Sequence, residues 1–124
     1  MPKKILIIED DKILSNLLEK KLGTAGYEVA TAADGEEGLA LLRSYKPDLV
    51  LLDIIMPQKN GLEVMEEMNK DPEIHPEKIP VIIISNSGQP VEIDKILSLG
   101  AKDYLVKAEF NPQEVIEKIK KQIG

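Results

Sequence analysis

The chain has 124 residues, 43% hydrophobic and 31% charged, which suits one compact domain with a real core and argues against disorder. Acids outnumber bases 22 to 16 for a net charge of -6, and aromatics are limited to three Tyr and one Phe, so the basic footprint and stacking platforms of a nucleic-acid or membrane-surface binder are missing. The absence of cysteine excludes disulfides, thiolate metal sites, iron–sulfur clusters and cysteine nucleophiles, and fits a reducing compartment. Met1 to Lys4 runs into only four apolar residues before Glu9, too few for a signal peptide. No run reaches the roughly 18–20 apolar residues of a membrane span, so a cytoplasmic chain is expected.

Short β-rich runs alternate with amphipathic stretches, five times over. Lys4–Ile8 reads as the first strand and ends in Glu9, Asp10 and Asp11. Leu14, Leu17, Leu18 and Leu22 follow at helical spacing, stopped by Gly23 and Gly26. Tyr27–Thr31 is the second strand. Asp34 and Glu37 then form a capping-box pattern for a helix with Leu39, Leu41 and Leu42 on its apolar face. Asp48–Asp53 is nearly continuous in apolar residues between two acids, as expected of a parallel strand covered on both faces.

A third helix follows Gly61, with Leu62, Met65 and Met68 inward. Beyond the loop Asp71–Pro80, which holds the only histidine, His75, comes the apolar strand Val81–Ile84. Val91–Leu99 reads as a fourth helix ended by Gly100, and Asp103–Val106 as a fifth strand. Asn111, Pro112 and Glu114 open the last helix, whose stripe is Val115, Ile116, Ile119 and Ile123. Five such units predict an α/β fold: a parallel sheet with helices on both faces and right-handed crossovers. The first turn is acidic and lacks the Gly-x-Gly-x-x-Gly of a dinucleotide fold. The doubly wound, flavodoxin-like (βα)5 three-layer sandwich with strand order 2-1-3-4-5 is therefore expected.

In open α/β sheets ligands bind at the carboxyl ends of the strands. Those ends deliver Glu9, Asp10 and Asp11 from strand 1, Asp53 from strand 3, Ser85 from strand 4 and Lys107 from strand 5. Two unit charges about 4 Å apart repel by about 4 kcal/mol at an effective dielectric near 20. Converging carboxylates therefore need a hard cation or open solvent. Without cysteine, an oxygen-ligated site favours Mg²⁺ or Mn²⁺ over zinc. Lys107 and Ser85 complete a cage for a tri-oxygen anion, and a phosphoryl group carried on Asp53 is the natural candidate.

These residues bring a family into view. Ile7-Ile8-Glu9-Asp10-Asp11, Leu51-Leu52-Asp53-Ile54-Ile55-Met56-Pro57 with Gly61, Ile82-Ile83-Ile84-Ser85, and Gly100-Ala101 with Tyr104-Leu105-Val106-Lys107 resemble the markers of a response-regulator receiver domain. The resemblance spans Ile5 to Ile123, and members of this family are a standard example of the 2-1-3-4-5 order. It implies that Asp53 is the phosphoacceptor. It also implies that Glu9, Asp10, Asp53 and the backbone carbonyl of Ile55 hold Mg²⁺, with Glu9 acting through water. Ser85 matches the hydroxyl that turns toward the phosphoryl group, Tyr104 the aromatic that follows it, and Lys107 the lysine that pairs with it.

The implied donor is a sensor histidine kinase or histidine phosphotransfer protein. The implied output is a non-enzymatic switch acting through the face of helix 4, strand 5 and helix 5 on an unknown downstream protein. One receiver domain over residues 1–124 without an output domain is expected, as a monomer or weak phosphorylation-dependent dimer that contacts neither nucleic acid nor membrane.

Several positions depart from the family pattern. Glu9 stands where Asp is commoner, and Asn86 where a small residue is usual. Ile55 and Ser87 sit where family members tune dephosphorylation; the apolar Ile55 side chain cannot position a water, so slow self-dephosphorylation is expected. Ala108 replaces the usual proline after Lys107. A cis bond there would cost about 2.5–4 kcal/mol, so a trans bond with a reshaped loop is expected. Two alternatives stand beside the switch. An aspartate-nucleophile phosphatase would carry a second acid where Ile55 stands, and a receiver-like binding module would have lost phosphorylation. Asp11 is read as a helix cap, Met65 and Met68 as core, and His75 as a loop residue.

Overall fold

The computed structural model describes residues 2–54, 59–85, 90–107 and 111–124, with backbone only at 90–93. The elements are β1 (Lys4–Ile8), α1 (Lys12–Thr24), β2 (Glu28–Ala32), α2 (Gly35–Tyr45), β3 (Leu49–Asp53), α3 (Gly61–Lys70), β4 (Val81–Ser85), α4 (Pro90–Ser98), β5 (Asp103–Val106) and α5 (Pro112–Ile123). All strand pairs are parallel, in the order β2-β1-β3-β4-β5. The flavodoxin-like doubly wound α/β sandwich expected from the sequence is what the chain forms.

Single-residue alternation divides the core. Leu6, Ile8, Val50, Leu52, Val81 and Ile83 pack with α2, α3 and α4 on one face. Ile5, Ile7, Leu49, Leu51, Ile82, Ile84 and Leu105 pack on the other face with Leu18 and Leu22 of α1 and Val115 and Ile119 of α5. Both faces of β1 and β3 are covered, which is why their sequences are continuously apolar.

Local chemistry sets the helix starts. Asp11 Oδ1 accepts from the Ile13 and Leu14 amides, and Asn111 Oδ1 from the Gln113 amide ahead of Pro112. Asp34 accepts from the Glu37 amide. The complete reciprocal box stands instead at α3: Asn60 Oδ1 accepts from Glu63 N–H while Glu63 Oε1 accepts from Asn60 N–H. Gly38 lets α2 approach the sheet, because a Cβ there would collide with the Ile8 side chain.

The helix stripes differ from expectation at one point. Leu17 is exposed, and Ser15 is buried instead alongside Leu18 and Leu22. The i, i+3, i+7 row Ser15–Leu18–Leu22 faces the sheet, and the small serine allows close packing there. Leu14, Leu41, Leu62, Ile116 and Ile123 lie at the margins, partly buried. Val64 joins Met65 and Met68 inside. His75 organises its loop, its Nδ1 accepting from Glu77 N–H.

Candidate functional site

The site continues the alternation that builds the core. Ile8 pairs with Leu52, so the next residues, Glu9 and Asp53, lie side by side at the carboxyl edge. By the two-residue period Glu9 extends the stripe Ile5–Ile7, Asp53 the stripe Leu49–Leu51, and Lys107 the stripe of Leu105. Three residues distant in sequence thus meet on the α1/α5 side of the sheet. Lys107 Nζ donates to Glu9 Oε1 at 3.0 Å and to Asp53 Oδ2 at 3.1 Å.

The ion pair is withdrawn from water: the Glu9 and Asp53 side chains are 0% and 2% exposed, and Lys107 is 17% exposed. Burial pushes the Glu9 carboxyl up to about 7, against the Lys107 ammonium and the Asp11 N–H, which favour the ionised form. The neighbouring Asp53 adds to the rise. For Lys107, burial works against the charge, but the bonds and charges of Glu9 and Asp53 outweigh it and hold the ammonium above the usual lysine range. Glu9 Oε2, also buried, has no hydrogen-bond partner among the described residues.

One carboxylate oxygen from each of Glu9, Asp10 and Asp53 lies within 4.8 Å of the others, with Asp10 exposed and the other two buried. An all-oxygen donor set of this charge, with one buried oxygen lacking a partner among the described residues, fits a hard divalent cation. Asp11 is spent on the α1 cap and lies outside that group. Ser85, buried, ends β4 one residue beyond Ile84, the partner of Asp53. By alternation it continues the opposite stripe, that of Val81 and Ile83. Tyr104, paired with Ile83 on the outermost strand, is 39% exposed. Ile55, Asn86, Ser87 and the Lys107–Ala108 bond lie outside the described residues.

The sequence reading anticipated that Asp53 and Lys107 would converge. It did not anticipate that Glu9, 98 residues from Lys107, bonds that lysine directly. It also missed the contacts of Lys59, whose ammonium pairs with Glu67 and lies 3.8 Å from Glu36. The signal available was a lysine two residues before the first residue of a helix with an acid two turns in.

Comparison with known proteins agrees with this geometry. The family model described as "Response regulator receiver domain" matches residues 5–120. The Bacillus subtilis alkaline phosphatase synthesis transcriptional regulatory protein PhoP is 38% identical over 97% of this chain and 48% of its own length. The chain thus spans about half the length of the curated relatives it matches. Among solved structures, Vibrio cholerae chemotaxis protein CheY4 superposes with a TM-score of 0.90 at 27% identity, covering 99% of this chain and 100% of its own. A CheY-like receiver domain protein from Methanospirillum hungatei gives a TM-score of 0.88 at 32% identity, covering 98% and 93%.

Proposed function

The chain belongs to the response-regulator receiver domain family, and on that premise we propose that it is a phosphoacceptor switch in which Asp53 takes a phosphoryl group from a phosphohistidine donor. The observation that carries the reading is the single Lys107 ammonium shared between Glu9 and Asp53 at the carboxyl edge of the sheet. An Asp53 oxygen attacks phosphorus, the P–N bond of the donor breaks, and the imidazole leaves with the bonding pair and takes up a proton. Lys107 then exchanges a carboxylate for phosphoryl oxygens, and Ser85 offers its hydroxyl as a donor on the far side. Glu9, Asp10, Asp53 and the Ile55 carbonyl are the residues to hold Mg²⁺. When bound, the ion offsets the charge that accumulates as a dianionic group approaches a carboxylate.

The added charge of about -1.5 to -2 is the signal, read through Ser85 and Tyr104 by the surface of α4, β5 and α5. The donor class is a sensor histidine kinase or a phosphotransfer protein; the receiving partner is a further protein. No catalytic turnover is required, and the aspartyl phosphate decays slowly because Ile55 offers no polar side chain to an attacking water.

The test is intact mass after incubation with acetyl phosphate, with and without Mg²⁺, beside Asp53→Asn. One phosphoryl adduct that requires both Mg²⁺ and Asp53 is expected. Absence of an adduct from acetyl phosphate and from a phosphorylated histidine donor alike would favour a pure binding module. Continuous phosphate release would favour a phosphatase.

A further inference from the structure

Lys59 lies outside the charged site, between acids carried by two helices. Its ammonium, on a side chain 24% exposed, bonds Glu67 of α3 and approaches Glu36 in the first turn of α2. Its main chain is held as well. A Cβ on Gly35, the first residue of α2, would overlap the Lys59 carbonyl oxygen, so only glycine permits the observed approach.

The next two residues carry this restraint inward. Asn60 is fixed by the reciprocal box with Glu63. Gly61 N–H donates to the Ile54 carbonyl at 2.7 Å, and a Cβ on Gly61 would overlap the Asp53 carbonyl. The chain that leaves the sheet at Asp53 therefore comes back at Gly61 against the backbone of Asp53, with Lys59 and Asn60 anchored on α2 and α3.

From this contact chain we propose that Lys59 is a positioning residue for the cation site: by tying the entry of α3 to the first turn of α2, it sets the backbone from which Asp53 presents its carboxylate. The inference rests on reading Glu9, Asp10 and Asp53 as a Mg²⁺ site. It goes further by adding a residue that touches neither ion nor phosphoryl group. Neutralising Lys59 leaves Glu36 and Glu67 without the cation they share. Their repulsion opens the seam between α2 and α3 and loosens the contact of Gly61 with the Asp53 backbone.

The sign of the effect separates position from charge. Removing a positive charge near an acidic site strengthens cation binding through space, whereas loosening the Gly61 contact weakens it. Mg²⁺ titration by calorimetry on the parent and on Lys59→Met, Lys59→Arg and Gly35→Ala, with melting temperatures recorded in parallel, tests this. Lys59→Met is expected to bind Mg²⁺ about tenfold more weakly, at the low end of what outer partners of metal ligands cost. Lys59→Arg should restore affinity. Gly35→Ala presses on the Lys59 carbonyl without altering charge, and should also weaken binding in folded protein. Affinity in Lys59→Met equal to or tighter than the parent's overturns the inference while leaving the cation site standing. A parent that binds no Mg²⁺ overturns the site and the inference together.

Discussion

Two layers of one stripe differ only in chemistry. Ile5, Ile7, Leu49, Leu51 and Leu105 are buried under α1 and α5, and one layer on, at the carboxyl edge, Glu9, Asp53 and Lys107 continue the same stripe. Side-chain exposure hardly distinguishes the carboxylates from the aliphatics. In the interior, burial is favourable in itself, about 25 cal/mol per Å² of apolar surface removed from water. At the edge the same burial strips two carboxylates and an ammonium of solvent, and their mutual bonds offset a cost that, among the described residues, nothing meets at Glu9 Oε2. The interior layer is stable because it is complete. The edge layer is less so, and under the proposed reading that is where a divalent cation or a phosphoryl group enters.

The sharpest way to break this comparison is to remove one member of each layer. Lys107→Met leaves Glu9 and Asp53 buried together without a cation and is expected to cost about 3–5 kcal/mol in metal-free buffer. Leu51→Ala opens a cavity in the interior layer and is expected to cost about 2–5 kcal/mol. Added Mg²⁺ should narrow the first deficit, because the ion takes over the neutralisation, and leave the second unchanged. Denaturant melts with and without Mg²⁺ measure both. If Mg²⁺ affected the two variants alike, the edge layer would not be the cation site.

A smaller effect follows from Glu9. Its carboxyl, pushed by burial to about 7 from an ordinary 4.5, holds a proton in the folded chain that the unfolded chain has released between those values. Protons bound by the folded state alone make stability fall as pH rises. The metal-free chain should therefore keep the Glu9 contribution in full below about pH 4.5 and lose it through pH 7. Glu9→Gln, which does not titrate, should lose that slope. Chemical denaturation across this range compares the two, and equal slopes would mean that Glu9 is ionised throughout.

The sequence showed the interior layer more completely than the edge. Alternation of Ile, Leu and Val marks which residues are buried, and the charged strand ends mark Asp53 and Lys107 as neighbours once the strand order is known. Strand and helix limits shifted by about a residue, as for β2, because end residues are set by hydrogen bonds rather than by hydropathy. Leu17 misled because spacing alone cannot say how a helix is rotated, and Ser15 took the inward place. The Glu9–Lys107 bond was invisible for a different reason. It depends on which of two nearby acids, Glu9 or Asp10, continues the inward stripe, and a one-residue offset exchanges them.

The smallest predicted effect tests whether the entry of α3 belongs to the edge layer or merely supports a helix. Asn60→Ala removes the cap side chain that accepts from Glu63 N–H, and should cost about 1 kcal/mol in metal-free buffer, as such caps do. If Asn60 also steadies Gly61 against the Asp53 carbonyl, the variant binds Mg²⁺ more weakly and gains less stability from it. The deficit relative to the parent then widens when Mg²⁺ is added, opposite in sign to Lys107→Met. An equal deficit under both conditions would confine Asn60 to the helix it caps. The direction of the Mg²⁺ effect therefore sorts residues at this end of the sheet into those the ion replaces and those it depends on.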